Sequence, residues 1–134
     1  MAEAGQDHRE ESIMTDHATI VAAIHRYCRV QCEKDREGWA SLFAEDVVQE
    51  DPVGLSRTQG RAQVTGPFWD NIVRNDVQIW LTDEIIVCGR EAVAIMACDI
   101  GPADRRRRLA PVVDQFVFDA EGRIAVVRGF YNLG

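Results

Sequence analysis

The sequence predicts a single α+β domain in which helices from the first half of the chain cover one face of a bent sheet built from the second half. Three observations predict it. Apolar residues recur three and four apart after Asp16, β-rich segments separated by turn signals fill the chain from Val77 onward, and 134 residues leave no room for a second domain. With 46% hydrophobic and 28% charged residues the usage is ordinary for a globular chain, and a core of this size holds a fold without disulfide or metal staples.

The elements follow in order. Residues 1–16 hold five acids (Glu3, Asp7, Glu10, Glu11 and Asp16) against the one base Arg9, so an acidic, disordered tail is expected ahead of a domain spanning 17–134, with Met14 as an alternative start. Ile20, Ala23, Ile24, Tyr27 and Cys28 form one helical stripe that Thr15 or Asp16 can cap. A short second helix is expected from Asp35, with Trp39, Leu42 and Phe43 on a shared face. Val47 to Asp51 reads as a strand ended by Pro52, which has no N–H for a ladder, and a loop follows at Gly54. Residues 61–73 predict a third helix, broken or kinked at Gly66-Pro67. Val77–Cys88, Ala92–Asp99, Leu109–Phe118 and Ile124–Tyr131 then read as an antiparallel meander, turning at Gly89-Arg90, Gly101-Pro102 and Ala120–Arg123.

Charge and composition narrow the function. Twenty-two acids against 15 bases give a net charge of −7, which argues against a nucleic-acid partner. The run Arg105 to Arg108 reads as a solvated hairpin edge, since neighbouring strand residues point to opposite faces. No apolar stretch reaches the ~18 residues of a membrane span. The start lacks the basic and apolar regions of a signal peptide, so a cytoplasmic location is expected. Cys28, Cys32, Cys88 and Cys98 form no CxxC pair and no ligand-like spacing with His8, His17 or His25; small buried thiols, and no metal, are expected.

Three residues stand out of pattern. In a strand over 109–118, alternation places Asp114 on one face with Val112, Phe116 and Phe118. Burial there raises a carboxyl's pKa and favours the neutral acid; a bulge, or a partner such as Arg128, is the alternative. Asp51 is held extended by Pro52, as a positioned carboxylate or a simple Asp-Pro turn. Tyr27 sits on the buried helical stripe, where its hydroxyl needs a partner or reaches the rim of the core.

Trp39-Ala40-Ser41-Leu42-Phe43-Ala44-Glu45-Asp46 with Glu50-Asp51-Pro52-Val53-Gly54 closely resembles a stretch of the bacterial ketosteroid isomerases. Ala110-Pro111-Val112-Val113-Asp114-Gln115-Phe116 and Phe118–Ile124 resemble their penultimate strand and hairpin. The likeness runs from about Ile20 to Asn132, within a fold shared with nuclear transport factor 2 (NTF2) and SnoaL-like proteins. It implies a cone-shaped NTF2-like α+β fold: a bent antiparallel or mixed sheet, about three helices on its concave side, and an enclosed apolar pocket. It also implies a homodimer, a small planar apolar substrate of steroid type, and neither cofactor nor metal. By position it makes Asp51 the general base, and Tyr27 with a protonated Asp114 the oxyanion hole, for conversion of a 3-oxo-Δ5-steroid to the 3-oxo-Δ4 isomer through a dienolate. Phe68, Trp69, Phe116, Val127 and Tyr131 are the candidates for substrate-binding walls.

The likeness has departures. Phe43 and Trp69 stand where some relatives carry tyrosines, and neither can relay a hydrogen bond to Tyr27 through a hydroxyl. Gln49 shares a strand face with Asp51, to bond the base or to widen the polar part of the site. The alternatives are a SnoaL-like isomerase or cyclase acting on another carbonyl compound, and a ligand-binding module without turnover.

Overall fold

The computed structural model describes residues 16–133, so all of the expected acidic tail but Asp16 lies outside the described residues. Helix α1 spans His17–Glu33; the Asp16 carboxylate caps it by accepting from Thr19 N–H at 3.1 Å, and Ile20, Ile24, Tyr27 and Cys28 form its buried stripe. Helix α2, Arg36–Ala40, is capped by Asp35 and stops earlier than the sequence pattern suggests. Leu42 lies in the turn that follows, where its carbonyl accepts from Ile124 N–H, and Phe43 opens strand β1, Phe43–Glu50. An apolar pair satisfies either period, and sheet pairing decides here.

Strand β2, Arg57–Gln59, lies in the expected loop and pairs antiparallel with β1 as a polar edge. The expected third helix is two, α3 (Arg61–Thr65) and α4 (Pro67–Arg74), hinged at Gly66, where a Cβ would meet Ala62 O at 2.8 Å. Pro67 begins the new helix, where its missing N–H costs nothing. The expected single strand over 77–88 divides into β3 (Gln78–Leu81) and β4 (Ile86–Cys88), with polar Asp83 and Glu84 between. Strands β5 (Glu91–Ile100), β6 (Arg107–Phe118) and β7 (Ile124–Phe130) complete the chain.

The sheet order is β2-β1-β7-β6-β5-β3, with β4 also on β5. The later strands form the expected antiparallel meander, whereas β1 runs parallel to β7, so the curved, unclosed sheet is mixed. Trp39 centres the core between helices and sheet, its ring 4.7 Å from that of Phe43, 5.2 Å from Tyr27 and 5.6 Å from Trp69. Its indole N–H donates to Val64 O, satisfying the one polar group of a fully buried ring.

Arg106 corrects the reading of the arginine run as wholly solvated. Its guanidinium donates to the carbonyls of Asn75, Asp76, Gly101 and Asp99, tying the turn after α4 to the β5–β6 connection. Arg108 pairs with Asp99 at 2.8 Å on the surface. No described helix is long and apolar enough to cross a membrane.

Candidate active site

Strand β6 alternates as the sequence implies, and Asp114, 5% exposed, lies between buried Val112 and Phe116. Its register partner on β7 is Gly129. Asp51 follows the last residue of β1; its N–H donates to Ser56 O, and Val53 N–H donates to Gly129 O at 2.9 Å, folding the Asp51 turn over the same glycine. A Cβ at Gly129 would stand 2.9 Å from Asp51 Oδ1 and 3.2 Å from Asp114 Oδ1. The two carboxyls therefore flank bare backbone, their facing oxygens no further apart than those two distances together.

Tyr27 reaches the pair from α1, its hydroxyl donating to Asp114 Oδ2 at 2.8 Å while its ring meets Phe116 edge-on at 5.0 Å. Arg128 does not neutralise Asp114: it points to the other sheet face, donating to Glu50 Oε1 at 2.8 Å and to Gln115.

Burial dominates the electrostatics. It raises Asp114 to about 8, with the charge of Asp51 adding to the rise and the Tyr27 hydrogen bond opposing it. Burial also raises Asp51, to about 6, while hydrogen bonding from the Tyr131 hydroxyl pulls the other way. Desolvation, followed by the charge of Asp114, holds the Tyr27 phenol well above its ordinary value. Asp51 therefore ionises first, and over an interval near neutral pH a carboxylate, a carboxylic acid and a phenol share one site. That set can remove a proton from carbon beside a carbonyl while two O–H donors receive the oxygen.

These groups line a cavity of about 180 Å³, walled also by Phe68, Ile79, Cys98, Leu109 and Val112 among others, with Tyr131 beside Asp51. Phe68 and Tyr131 thus stand on its wall. Trp69, Phe116 and Val127 do not; they lie 3%, 0% and 2% exposed in the packed core, because alternation fixes a side chain's face but not its distance from the cavity. Gln49 also departs from expectation. It is fully buried beside Val127, and neither atom of its amide has a hydrogen-bond partner; it neither bonds Asp51 nor lines the cavity.

Several cavity residues were not singled out from sequence. Gln31, four residues after Tyr27, donates to Tyr27 O at 3.1 Å, and Asn71 and Asn75 stand one turn apart toward the end of α4. Cys98 contributes a thiol that burial pushes up to about 12, an unreactive wall. Gly129 had a signal, since a glycine inside an apolar strand marks a close approach of other groups.

The SnoaL-like domain family matches residues 24–127. The chain is 30% identical over 118 residues to a steroid Delta-isomerase of Nocardioides simplex, covering 87% of this chain and 93% of that protein. Among solved structures, the Delta 5-3-ketosteroid isomerase of a Mycobacterium species is 26% identical, with a TM-score of 0.76 over 86% of this chain and 94% of that one. The epoxide hydrolase/cyclase-like enzyme SalBIII, of pyran ring formation in salinomycin, has a TM-score of 0.81 at 24% identity, covering 89% and 95%; that likeness concerns the fold alone.

Proposed function

The chain belongs to the SnoaL-like domain family, and from that premise and the pocket's geometry we propose that it is a cofactor-independent steroid Δ-isomerase. The substrate is a 3-oxo-Δ5-steroid, whose carbonyl oxygen takes the place of Asp114 Oδ2 as acceptor of the Tyr27 hydroxyl and accepts a second hydrogen bond from the protonated Asp114 carboxyl. Ionised Asp51 removes a proton from the carbon between carbonyl and alkene, and the electron pair moves through the π system to the oxygen, giving a dienolate. The two O–H donors hold that oxygen most strongly as its charge grows, inside a site with little competing water. Asp51 then returns the same proton to the far carbon of the conjugated system, so atoms balance without water, metal or redox partner.

The observation that carries this reading is the buried pair Asp51 and Asp114 flanking Gly129, with the Tyr27 hydroxyl on Asp114. The resemblance to the Nocardioides isomerase supports the steroid as substrate. Conjugated enone formed from 5-androstene-3,17-dione, followed by ultraviolet absorbance, tests it. Wild type is expected to turn over rapidly, Asp51→Asn to lose about 10²- to 10⁴-fold, and Asp114→Ala about 10²- to 10³-fold. Rates equal to the buffer reaction in all three proteins refute the assignment.

The reading extends to a homodimer in the cytoplasm. The sheet face turned away from the helices carries half-buried Val48, Val113, Val117 and Val126, with Phe130 39% exposed, around the Glu50–Arg128 ion pair and Gln115, a mixed apolar and polar surface of the kind that a second copy covers. Light scattering at twice the 15.1 kDa chain mass is the expected result, and a monomer at micromolar concentration contradicts it.

A further inference from the structure

The proposed reaction engages one end of the cavity, while polar side chains stand at the other. One wall follows β6 from Asp114 past Val112 to Leu109, and Leu109 pairs with Cys98 on β5. On β5 the same stretch runs from Ala94, opposite Asp114, to Cys98, opposite Leu109, and four strand residues at ~3.3 Å each set Leu109 about 13 Å from Asp114. Beyond Cys98, β5 ends at Ile100, and there Gly101 N–H donates to Asn75 O at 2.8 Å, bringing the C-terminal end of α4 to the mouth of the cavity.

Asn71, exposed to solvent, and half-buried Asn75 line the cavity at this end. Arg74 Nη1 donates to Asn71 Oδ1 at 2.6 Å, a charge-assisted bond that fixes which way the amide is turned. The oxygen faces Arg74, so the two Nδ2 hydrogens face away from it. Asn75 Nδ2 donates to Asn71 O, and the Arg106 guanidinium holds Asn75 O and Asp76 O from behind, so the rim is braced from two sides. The cavity is also smaller than the about 300 Å³ at the lower end of ordinary ligand sites. A rigid multi-ring ligand seated on Tyr27 and Asp114 therefore extends its far end to the mouth.

We propose that Asn71 is a specificity-determining residue that donates its amide N–H to an acceptor oxygen at the far end of the ligand. The inference rests on the isomerase reading for the ligand's orientation, and its test is a binding measurement that does not require turnover.

The probes are two planar phenols that mimic the dienolate: equilenin, which carries a ketone at its far end, and the 17-deoxy analogue, which lacks it. Dissociation constants are read by fluorescence for wild type, Asn71→Leu and Asn71→Gln. Wild type is expected to favour the ketone about tenfold, the effect of one neutral hydrogen bond. Asn71→Leu should abolish that preference by weakening the ketone alone, and Asn71→Gln, which keeps the donors one methylene further out, should restore part of it. Equal affinities in wild type, no binding of either phenol, or an equal loss of both in Asn71→Leu overturn the proposal. A retained preference in a protein that forms no enone refutes the isomerase reading and leaves this one standing.

Discussion

Replacing Gly129 by alanine separates catalysis from stability in this protein. The added Cβ would lie 2.9 Å from Asp51 Oδ1, against the 3.4–4 Å of ordinary contact, so the Asp51 carboxylate must retreat by about half an ångström. The retreat strains the fold little, because the clashing atom ends a flexible side chain and the Gly129 backbone lies outside the left-handed region. Exchanging glycine for alanine inside a strand itself favours folding by roughly 0.5–1 kcal/mol. Catalysis responds differently: misplacing a reacting group by 1 Å can cost about 10²-fold, so half that distance should cost about tenfold. The second clash, 3.2 Å to Asp114 Oδ1, pushes the carboxyls apart and weakens the repulsion that helps keep Asp114 protonated. Steady-state enone formation across pH, paired with thermal melting, reads both effects. The account expects kcat/KM down about tenfold, an alkaline limb moved to lower pH, and a Tm unchanged or higher. Unchanged kcat/KM, or a loss of activity matched by a loss of Tm, would refute the reasoning.

Other consequences are open to measurement. The pH profile of kcat/KM should rise through about 6 as Asp51 ionises and fall through about 8 as Asp114 loses its proton; a profile flat from pH 5 to 9 contradicts those roles. Folded Asp114 keeps a proton that the unfolded chain, near the ordinary 3.8, releases, so its contribution to stability is full below that value and is lost as pH rises through about 8. Asp114→Asn should therefore melt progressively higher relative to wild type from pH 5 to 8, whereas a constant difference would show that the group does not titrate in that window. Gln49→Leu should raise the urea midpoint, corresponding to about 1–2 kcal/mol, since it removes a buried amide that has no partner; destabilisation of the same size would mean that the amide is satisfied.

The site was legible where local pattern reaches it. Asp114 announces itself because three apolar residues share its alternation, and Tyr27 because helical spacing sets it on the stripe of Ile20 and Ile24. What brings them to Asp51 is not local. The parallel pairing of β1 with β7 joins residues more than seventy apart, and only that pairing lays the Asp51 turn over Gly129. Strand β2 escaped notice because Arg57-Thr58-Gln59 offers no apolar residue to count, and it forms only as an edge on β1. Phe43 misled because one aromatic fits the end of a helical stripe as well as the start of a strand. Distance from the cavity was the least legible property of all. Phe116 and Val127 face the same side of the sheet as Asp114 yet lie in solid core, while Asn71 and Asn75 reach the mouth through the break at Gly66, which re-aims α4.

The central claim is that one aspartate is ionised while its neighbour across Gly129 stays protonated at the same pH. Carbon-13 NMR of protein labelled at the aspartate side-chain carboxyls, titrated from pH 3 to 10 and assigned with Asp51→Asn and Asp114→Asn, observes this directly. The account expects the Asp51 signal to move near pH 6 and the Asp114 signal to hold its protonated position until about pH 8. Titration of both carboxyls near pH 4 would contradict it.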